Sequence, residues 1–273
     1  MSLLTINDTA CKGCGICIQA CPVSIISMDD NKIPFVSAEK EQRCVLCGHC
    51  ESICPDSALK HNHLPEMKPI HHDKIKEVTS ENISEYFRSR RSIRTFLPTK
   101  VEKETLEEVI DIVRYAPTGV NRQMNKWVVV SDLQTIRRLG EGVIAWMKAM
   151  LPVNPELAKR LNFEGLITAF ERGNDVICRN APHLVIGYTE ASYPAGSKDN
   201  TIAASHLELL LPAFGLGGCW AGYLMIALQF SPNLKKVIGL DDSYTVHSAL
   251  MVGYPKYRYF KTPQRKEAQV NWM

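Results

Sequence analysis

Eight of the ten cysteines in this 273-residue sequence fall into two runs with a single spacing. The first run reads CKGCGICIQACP, with Cys11, Cys14, Cys17 and Cys21 ahead of Pro22. The second reads CVLCGHCESICP, with Cys44, Cys47, Cys50 and Cys54 ahead of Pro55. Cys11 to Cys44 is an offset of 33 residues, and the other three pairs share it, so the segment is an internal repeat. Thiolates spaced C-x2-C-x2-C-x3-C-P suit cubane iron–sulfur chemistry, the fourth cysteine of each run serving the other cluster. Three thiolates on a tight loop can cap three irons of a cube, while the fourth iron faces away and needs a ligand from elsewhere. The expected ligand sets are Cys11, Cys14, Cys17 and Cys54 for one [4Fe–4S] cluster and Cys21, Cys44, Cys47 and Cys50 for the other. Zinc ribbons also use paired CxxC, but with four ligands per metal and rarely a third close cysteine followed by Cys-Pro.

The run is that of bacterial two-cluster ferredoxins, so residues 1–60 are expected to form a ferredoxin-like module with little apolar core, held together by its clusters. Residues 61–80 mix His, Pro and Lys without periodicity and read as a linker. His61, His63, His71 and His72 are expected to be solvated there, because no fixed spacing aligns them as metal ligands. Residues 81–273 form the second domain.

Several elements must position the chemistry of that domain. Asn82 is expected to cap a helix over Ile83–Arg90. Leu106, Val109, Ile110 and Val113 fall at i, i+3, i+4 and i+7 on a helix from Glu102 to Tyr115. Helices are also expected over Leu133–Gly140, Glu141–Leu151, Glu156–Asn180 with breaks near Gly165 and Gly173, Asp199–Phe214 and Pro232–Ile238. Apolar, β-branched runs predict strands at Trp127–Val130, Leu184–Tyr188 and Tyr244–Val252. Few strands among many helices imply an α+β layered domain. Leu209–Phe230 carries no charge over the length of a membrane span, but Pro212, Gly215, Gly217, Gly218 and Gly222 interrupt it. A core helix that ends in a glycine-rich turn and restarts fits better.

Composition narrows the function. The sequence is 45% hydrophobic with a mean hydropathy of −0.13 and a formal charge of +3, too small to imply nucleic acid or a membrane surface. Residues 1–60 hold 5 basic and 7 acidic side chains, leaving 27 and 22 for the rest. MSLLTINDTA lacks a basic n-region and an apolar h-region, and eight thiolate ligands need a reducing compartment, so a cytoplasmic location is expected. Cys178 and Cys219 lie in apolar surroundings and read as buried, inert thiols.

Three stretches of the second domain carry polar groups suited to a flat, phosphate-bearing ligand. Four arginines fall within Arg88–Arg94, and guanidinium forks suit a phosphate or the edge of a polar heterocycle. In Ala116–Gln123, Asn121 and Gln123 offer amide donors and acceptors. Gly215–Gly222 does not satisfy G-x-G-x-x-G, since Trp220 stands at the last glycine position, but its backbone can approach a ligand closely.

Together these stretches resemble the nitroreductase family of FMN flavoproteins. The matching residues are RRSIRTF (90–96), APTGVNRQ (116–123), DNTIAASHLELLLPAFGLGGCWAG (199–222), VGYP (252–255), and Arg265 with Lys266. The resemblance covers residues 82–272 and implies a nitroreductase-like α+β FMN-binding domain behind the ferredoxin-like module. It implies that Arg90 and Ser92 hold the FMN phosphate and ribityl chain, with Arg91 nearby. Arg94 would lie at the pyrimidine edge, and Asn121 and Gln123 would bond the ring. The backbone at Ala221 and Gly222 would face flavin N5, and Arg265 with Lys266 would close on the phosphate. No side chain is expected to be catalytic, because N5 carries the chemistry. The loop Gln123–Trp127 is longer than the family's Gln-Pro-Trp, and Glu141–Asn180 is where a family member covers its substrate pocket. A homodimer is implied, with an external donor such as reduced ferredoxin or NAD(P)H. The expected function is an FMN-dependent oxidoreductase. Two [4Fe–4S] clusters relay single electrons to FMN, which reduces a small organic acceptor such as a nitroaromatic or quinone. The alternatives are a non-catalytic iron–sulfur flavoprotein carrier and a specialised reductase or dehalogenase of a non-nitro substrate.

Overall fold

The computed structural model describes residues 2–273, which divide into two compact units. The first comprises residues up to Glu77 together with Val120–Arg122, and the second comprises Val78–Gly119 and Gln123–Met273.

The first unit runs β1 (Leu4–Ile6), α1 (Ile16–Ala20), β2 (Ile26–Met28), β3 (Pro34–Val36), α2 (Ala38–Glu41), α3 (His49–Ser52), β4 (Leu59–His61) and α4 (His72–Lys76). β1 pairs antiparallel with β4, and β2 with β3, giving two separate ribbons. The repeat read in the cysteines reaches the backbone. The short helices α1 and α3 start after Gly15 and Gly48, both left-handed at φ 72°, a conformation that costs glycine little. Among the described residues, six buried side chains (Leu3, Leu4, Ile25, Ile26, Cys50 and Leu59) form this unit's apolar cluster. A core of that size leaves a domain marginal unless something else cross-links it.

The second unit continues with α5 (Ser80–Ser89), α6 (Lys103–Val113), β5 (Lys126–Val130), α7 (Leu133–Val153), α8 (Pro155–Arg160), α9 (Phe163–Glu171), β6 (His183–Glu190), α10 (Gly196–Leu210), β7 (Gly217–Trp220), α11 (Gly222–Phe230), α12 (Pro232–Val237) and β8 (Tyr244–Gly253). Four strands form one antiparallel sheet in the order β5-β6-β8-β7. Helices cover both its faces, so its central strands do not alternate apolar and polar as half-solvated antiparallel strands do. On β6, Leu184 and Ile186 join the core beneath α7, α9 and α11, while Val185 joins the core beneath α6 and α10. On β8, Ala249 and Met251 face the first core, and Leu250 and Val252 the second.

Several boundaries differ from the sequence reading. The first helix of this unit starts at Ser80, because the Thr79 hydroxyl accepts the Asn82 N–H (3.1 Å) and so supplies the cap expected from Asn82. The two helices expected over Leu133–Leu151 are one helix of 21 residues. Gly140 and Gly142 do not break it; they let Phe170 and Leu234 pack against its backbone. The region Glu141–Asn180 supplies Val143, Met147 and Phe163 to the main core. Sequence reasoning missed β7, whose Gly-Gly-Cys-Trp carries no strand signal; its register against β8 comes from tertiary pairing. The uncharged stretch from Leu209 is cut into a 3-10 turn at Leu211–Phe214, β7 and α11. Among the described residues no helix is long and apolar enough to cross a membrane. Cys178 and Cys219 are buried, as expected.

Candidate functional site

The first unit distributes its thiols between two cavities. Cys11, Cys14, Cys17 and Cys54 line one of them. Cys21, Cys44, Cys47 and Cys50 line the other. Each cavity therefore draws three cysteines from one run and the fourth from the other run. The left-handed residues that fold the loops recur at the same offset of 33: Gly13 with Leu46, and Ser24 with Ser57. Among the described residues no three His, Cys, Asp or Glu side chains converge on one point as ligands of a single metal ion. The thiols surround a space, which is the arrangement a polynuclear group needs.

Burial raises the pKa of the Cys17 and Cys44 thiols and pushes Cys50 up to about 11. These groups are protonated at neutral pH without metal, so metal binding must displace their protons. Two backbone donors already point at sulfur: Ala58 N–H at Cys54 Sγ (3.3 Å) and Leu46 N–H at Cys44 Sγ (3.4 Å). His61, read from sequence as a solvated linker residue, is instead buried at the end of β4 with Nε2 3.5 Å from Cys44 Sγ. The signal that would have found it is the repeat itself, since His61 stands 33 residues beyond Met28.

In the second unit, Arg90 and Arg91 open onto a cavity also lined by Glu208, Lys256, Tyr257 and Arg258. Arg90 Nη1 bonds Glu208 Oε1 (2.9 Å), and Trp220 Nε1 donates to the other carboxylate oxygen (3.1 Å). Glu208 was not singled out from sequence, although a carboxylate within an apolar stretch marks a charge that must find a partner when buried. Arg91 Nη1 donates to the carbonyls of Arg88 (2.8 Å) and Arg90 (2.6 Å). Its Nε is the one buried side-chain nitrogen or oxygen among the described residues with no hydrogen-bond partner. A buried unpaired donor is costly and calls for an acceptor. Arg94 is exposed, and its Nη1 lies 3.5 Å from the Ser92 carbonyl.

The loop after α6 is held from below. Asp199, 4% exposed in the first turn of α10, accepts the Gly119 N–H (3.0 Å) and the Tyr193 hydroxyl (2.5 Å). Beyond Gly119 the backbone turns left-handed at Val120, Asn121 and Gln123. Asn121 groups with the first unit, where its Nδ2 donates to the carbonyls of Val45 (3.0 Å) and Leu46 (2.9 Å). Gln123 donates its N–H to Thr118 Oγ1 (3.0 Å) and lines a second cavity with Thr118, Asn125 and Trp127. The N–H of Ala221 is taken by the Ala249 carbonyl (2.8 Å). Gly222 follows at the start of α11, where first-turn N–H groups lack intrahelical acceptors; a Cβ there would meet nothing within 4 Å. Arg265 and Lys266 are exposed in a segment without regular structure. The structure thus brings Arg90 and Arg91 to one cavity and does not bring Arg265 or Lys266 to it.

Comparison with known proteins follows this division. Residues 87–254 match the nitroreductase family, and residues 10–59 match the 4Fe-4S dicluster domain. A putative NADH dehydrogenase/NAD(P)H nitroreductase of Archaeoglobus fulgidus is 24% identical over 62% of this chain and 82% of its own length. An uncharacterized ferredoxin of Methanocaldococcus jannaschii is 34% identical over 21% of this chain and 90% of its own. A crystal structure of a nitroreductase with bound FMN from Desulfitobacterium hafniense is similar in fold, with a TM-score of 0.56 at 19% identity over 71% of this chain and all of the other. A family match over more than half the sequence, lying on the very unit that holds the arginine cavity, settles the affiliation: this chain belongs to the nitroreductase family and carries a ferredoxin-type dicluster domain in front.

Proposed function

We propose that this chain is an FMN-dependent oxidoreductase whose two [4Fe–4S] clusters feed electrons to FMN for the reduction of a small organic acceptor. The observation that carries this reading is the four-and-four division of the cysteines around two cavities, in front of a nitroreductase-family unit.

The residues present fit both groups. For the clusters, each cavity offers four sulfurs, a backbone N–H directed at one of them, and no convergent single-ion site. For FMN, Arg91 Nε is a buried donor with no acceptor in the protein, and Arg90 stands beside it at a cavity that Lys256 and Arg258 also line. Arg90, Arg91 and Ser92 would hold the phosphate end, with Arg94 and Gln123 at the ring. Gly222 would allow close backbone approach. When bound, FMN supplies the exchange between single-electron and hydride chemistry, and the clusters supply electrons singly.

The chain's own residues bind and orient. Glu208 fixes the Arg90 guanidinium through one oxygen and Trp220 through the other, so the cation is in place before a ligand arrives. Pre-set polar groups cost no reorganisation when charge develops on what they hold. Asp199 anchors Gly119 and with it the loop that leads to Gln123.

The deciding experiment is anaerobic. Reconstituted protein should release FMN on denaturation, and its bound flavin should bleach with reduced ferredoxin, NADH or NADPH. The preferred reductant names the donor, and turnover against nitroaromatics and quinones names the acceptor class. Protein that holds two clusters but no FMN would overturn the proposal.

A further inference from the structure

The internal repeat of the first unit extends beyond its cysteines. An offset of 33 carries β2 (Ile26–Met28) onto β4 (Leu59–His61), and so carries Met28 onto His61. Met28 lines the cavity of Cys11, Cys14, Cys17 and Cys54, and His61 lines the other. At equivalent points beside their thiols, one half of the repeat has a thioether, which has no proton to donate, and the other has an imidazole.

The surroundings of His61 fix which nitrogen carries that proton. Its Nδ1 accepts the His63 N–H (3.3 Å), so a neutral ring is protonated at Nε2, the atom 3.5 Å from Cys44 Sγ. The ring is 1% exposed, and its own backbone N–H is held by Glu51 Oε2 (2.7 Å). It therefore cannot swing away from the sulfur without vacating a packed site.

We propose that His61 sets the reduction potential of the cluster held by Cys21, Cys44, Cys47 and Cys50, its Nε2–H donating to the Cys44 thiolate and making that cluster easier to reduce. Reduction adds negative charge that the ligand sulfurs share, and a donor to sulfur favours the more negative state. The backbone donors do not distinguish the two sites, since each thiol set receives them, from Ile18 and Ala58 on one side and from Leu46 and Glu51 on the other. Lys12 and Asp56 both line the other cavity, but they are exposed and opposite in sign, so they offset each other and are screened. The inference rests on the cluster ligand sets proposed above.

The test uses the full chain, reconstituted and assayed first for iron and inorganic sulfide. Wild-type protein short of two cubanes would sink the cluster reading itself. With both clusters present, mediated redox titration followed by EPR gives the two one-electron couples. His61→Met should make one couple about tenfold harder to reduce, equal to ~59 mV for one electron, and leave the other in place. His61→Gln, which keeps a side-chain N–H, should restore part of the shift. Two unmoved couples in a His61→Met protein of full iron content would overturn the proposal. A measurement on unaltered protein guards against a variant that does not fold. With 15N-labelled histidine, pulsed EPR of the reduced protein should show an imidazole nitrogen coupled to one cluster, a coupling that persists in His49→Gln because His49 lines the same cavity, and no such coupling would also overturn it.

Discussion

Arg90 and Glu208 hold each other where little water reaches, with side chains 26% and 11% exposed. Removing one partner of such a pair strands the other, and the more buried partner suffers more. Arg90→Ala leaves the Glu208 carboxylate with Trp220 alone. It should cost about 2–3 kcal/mol, somewhat below the range for fully buried pairs because Arg90 is a quarter exposed. Glu208→Gln keeps an acceptor for Trp220 and leaves Arg90 free to reach solvent, at about 1 kcal/mol. Urea unfolding of flavin-free protein should rank them in that order, and the reverse order would show that the pair does not organise the cavity. His183 makes a pH-dependent prediction. Its Nε2 accepts the Val101 N–H (2.8 Å), which places its proton on Nδ1, facing Ser131 Oγ (2.7 Å). Burial, and then the charge of Lys100, lowers its pKa below the ordinary value of 6.5. Burial lowers that of His247 as well. Above pH 6.5 both states are neutral at these sites. Below it the unfolded chain takes up protons that the folded chain refuses, so stability falls as pH falls, by up to about 1.4 kcal/mol per pH unit for each proton. Denaturation midpoints at pH 7.5 and 5.5 should therefore drop with pH, and less so in His183→Gln. An equal drop in that variant would remove His183 from the account.

The second unit is most exacting where α10 meets the central strands. Asn200 accepts the Ser248 hydroxyl (2.6 Å) and reaches Asn125 (3.3 Å), all beside Gly187 of β6. A β-bulge at Gly187/Tyr188 turns His247 toward Thr189 Oγ1 (2.9 Å). A methyl group at Gly187 would collide with both Asn200 and Ser248. Gly187→Ala should thus destabilise by about 2–3 kcal/mol. Gly222→Ala meets only open space, so its unfolding midpoint should stay within ~0.5 kcal/mol of wild type while FMN affinity falls. Equal effects on folding at the two glycines would refute the distinction. The same contrast explains what was legible in the sequence. The three strands with β-branched runs, the i, i+3, i+4, i+7 helix and the cysteine repeat each carry a local period, and each was read close to its place. β7 carries none, because Gly217 is selected by contact with Ile93, distant in sequence, and Gly218 by contact with Leu211 across the intervening turn. Gly140 reads as a break because close helix approach leaves no signature distinct from a turn. Asp199 escaped because Gly119, its partner, is brought near only by the fold, whereas the repeat pointed at the position of His61 without naming Cys44 as its partner.

As a whole, the molecule joins two units whose stability has different origins. The second buries two apolar cores against opposite faces of one sheet, with Leu139, Val143, Met147, Leu184, Ile186 and Leu228 all fully buried. That is enough for a domain to fold on hydrophobic burial alone. The first has six buried core side chains and two ribbons of short strands, and two-stranded ribbons are marginal by themselves in water. Its remaining cohesion would come from eight sulfurs tied through two clusters, which makes metal binding and folding one event there. Iron removal should accordingly act on one unit only. After anaerobic treatment with chelator and oxidant, limited proteolysis should degrade the part of the first unit that precedes Val78 and leave a resistant fragment starting near Val78. Calorimetry should lose one of two transitions. The second unit should still bind FMN. If both units melted together once iron was gone, the second would depend on the first for its fold, contrary to the independence its two cores imply. If neither changed, the clusters would not be what holds the first unit together, and the cysteine cavities would need another occupant.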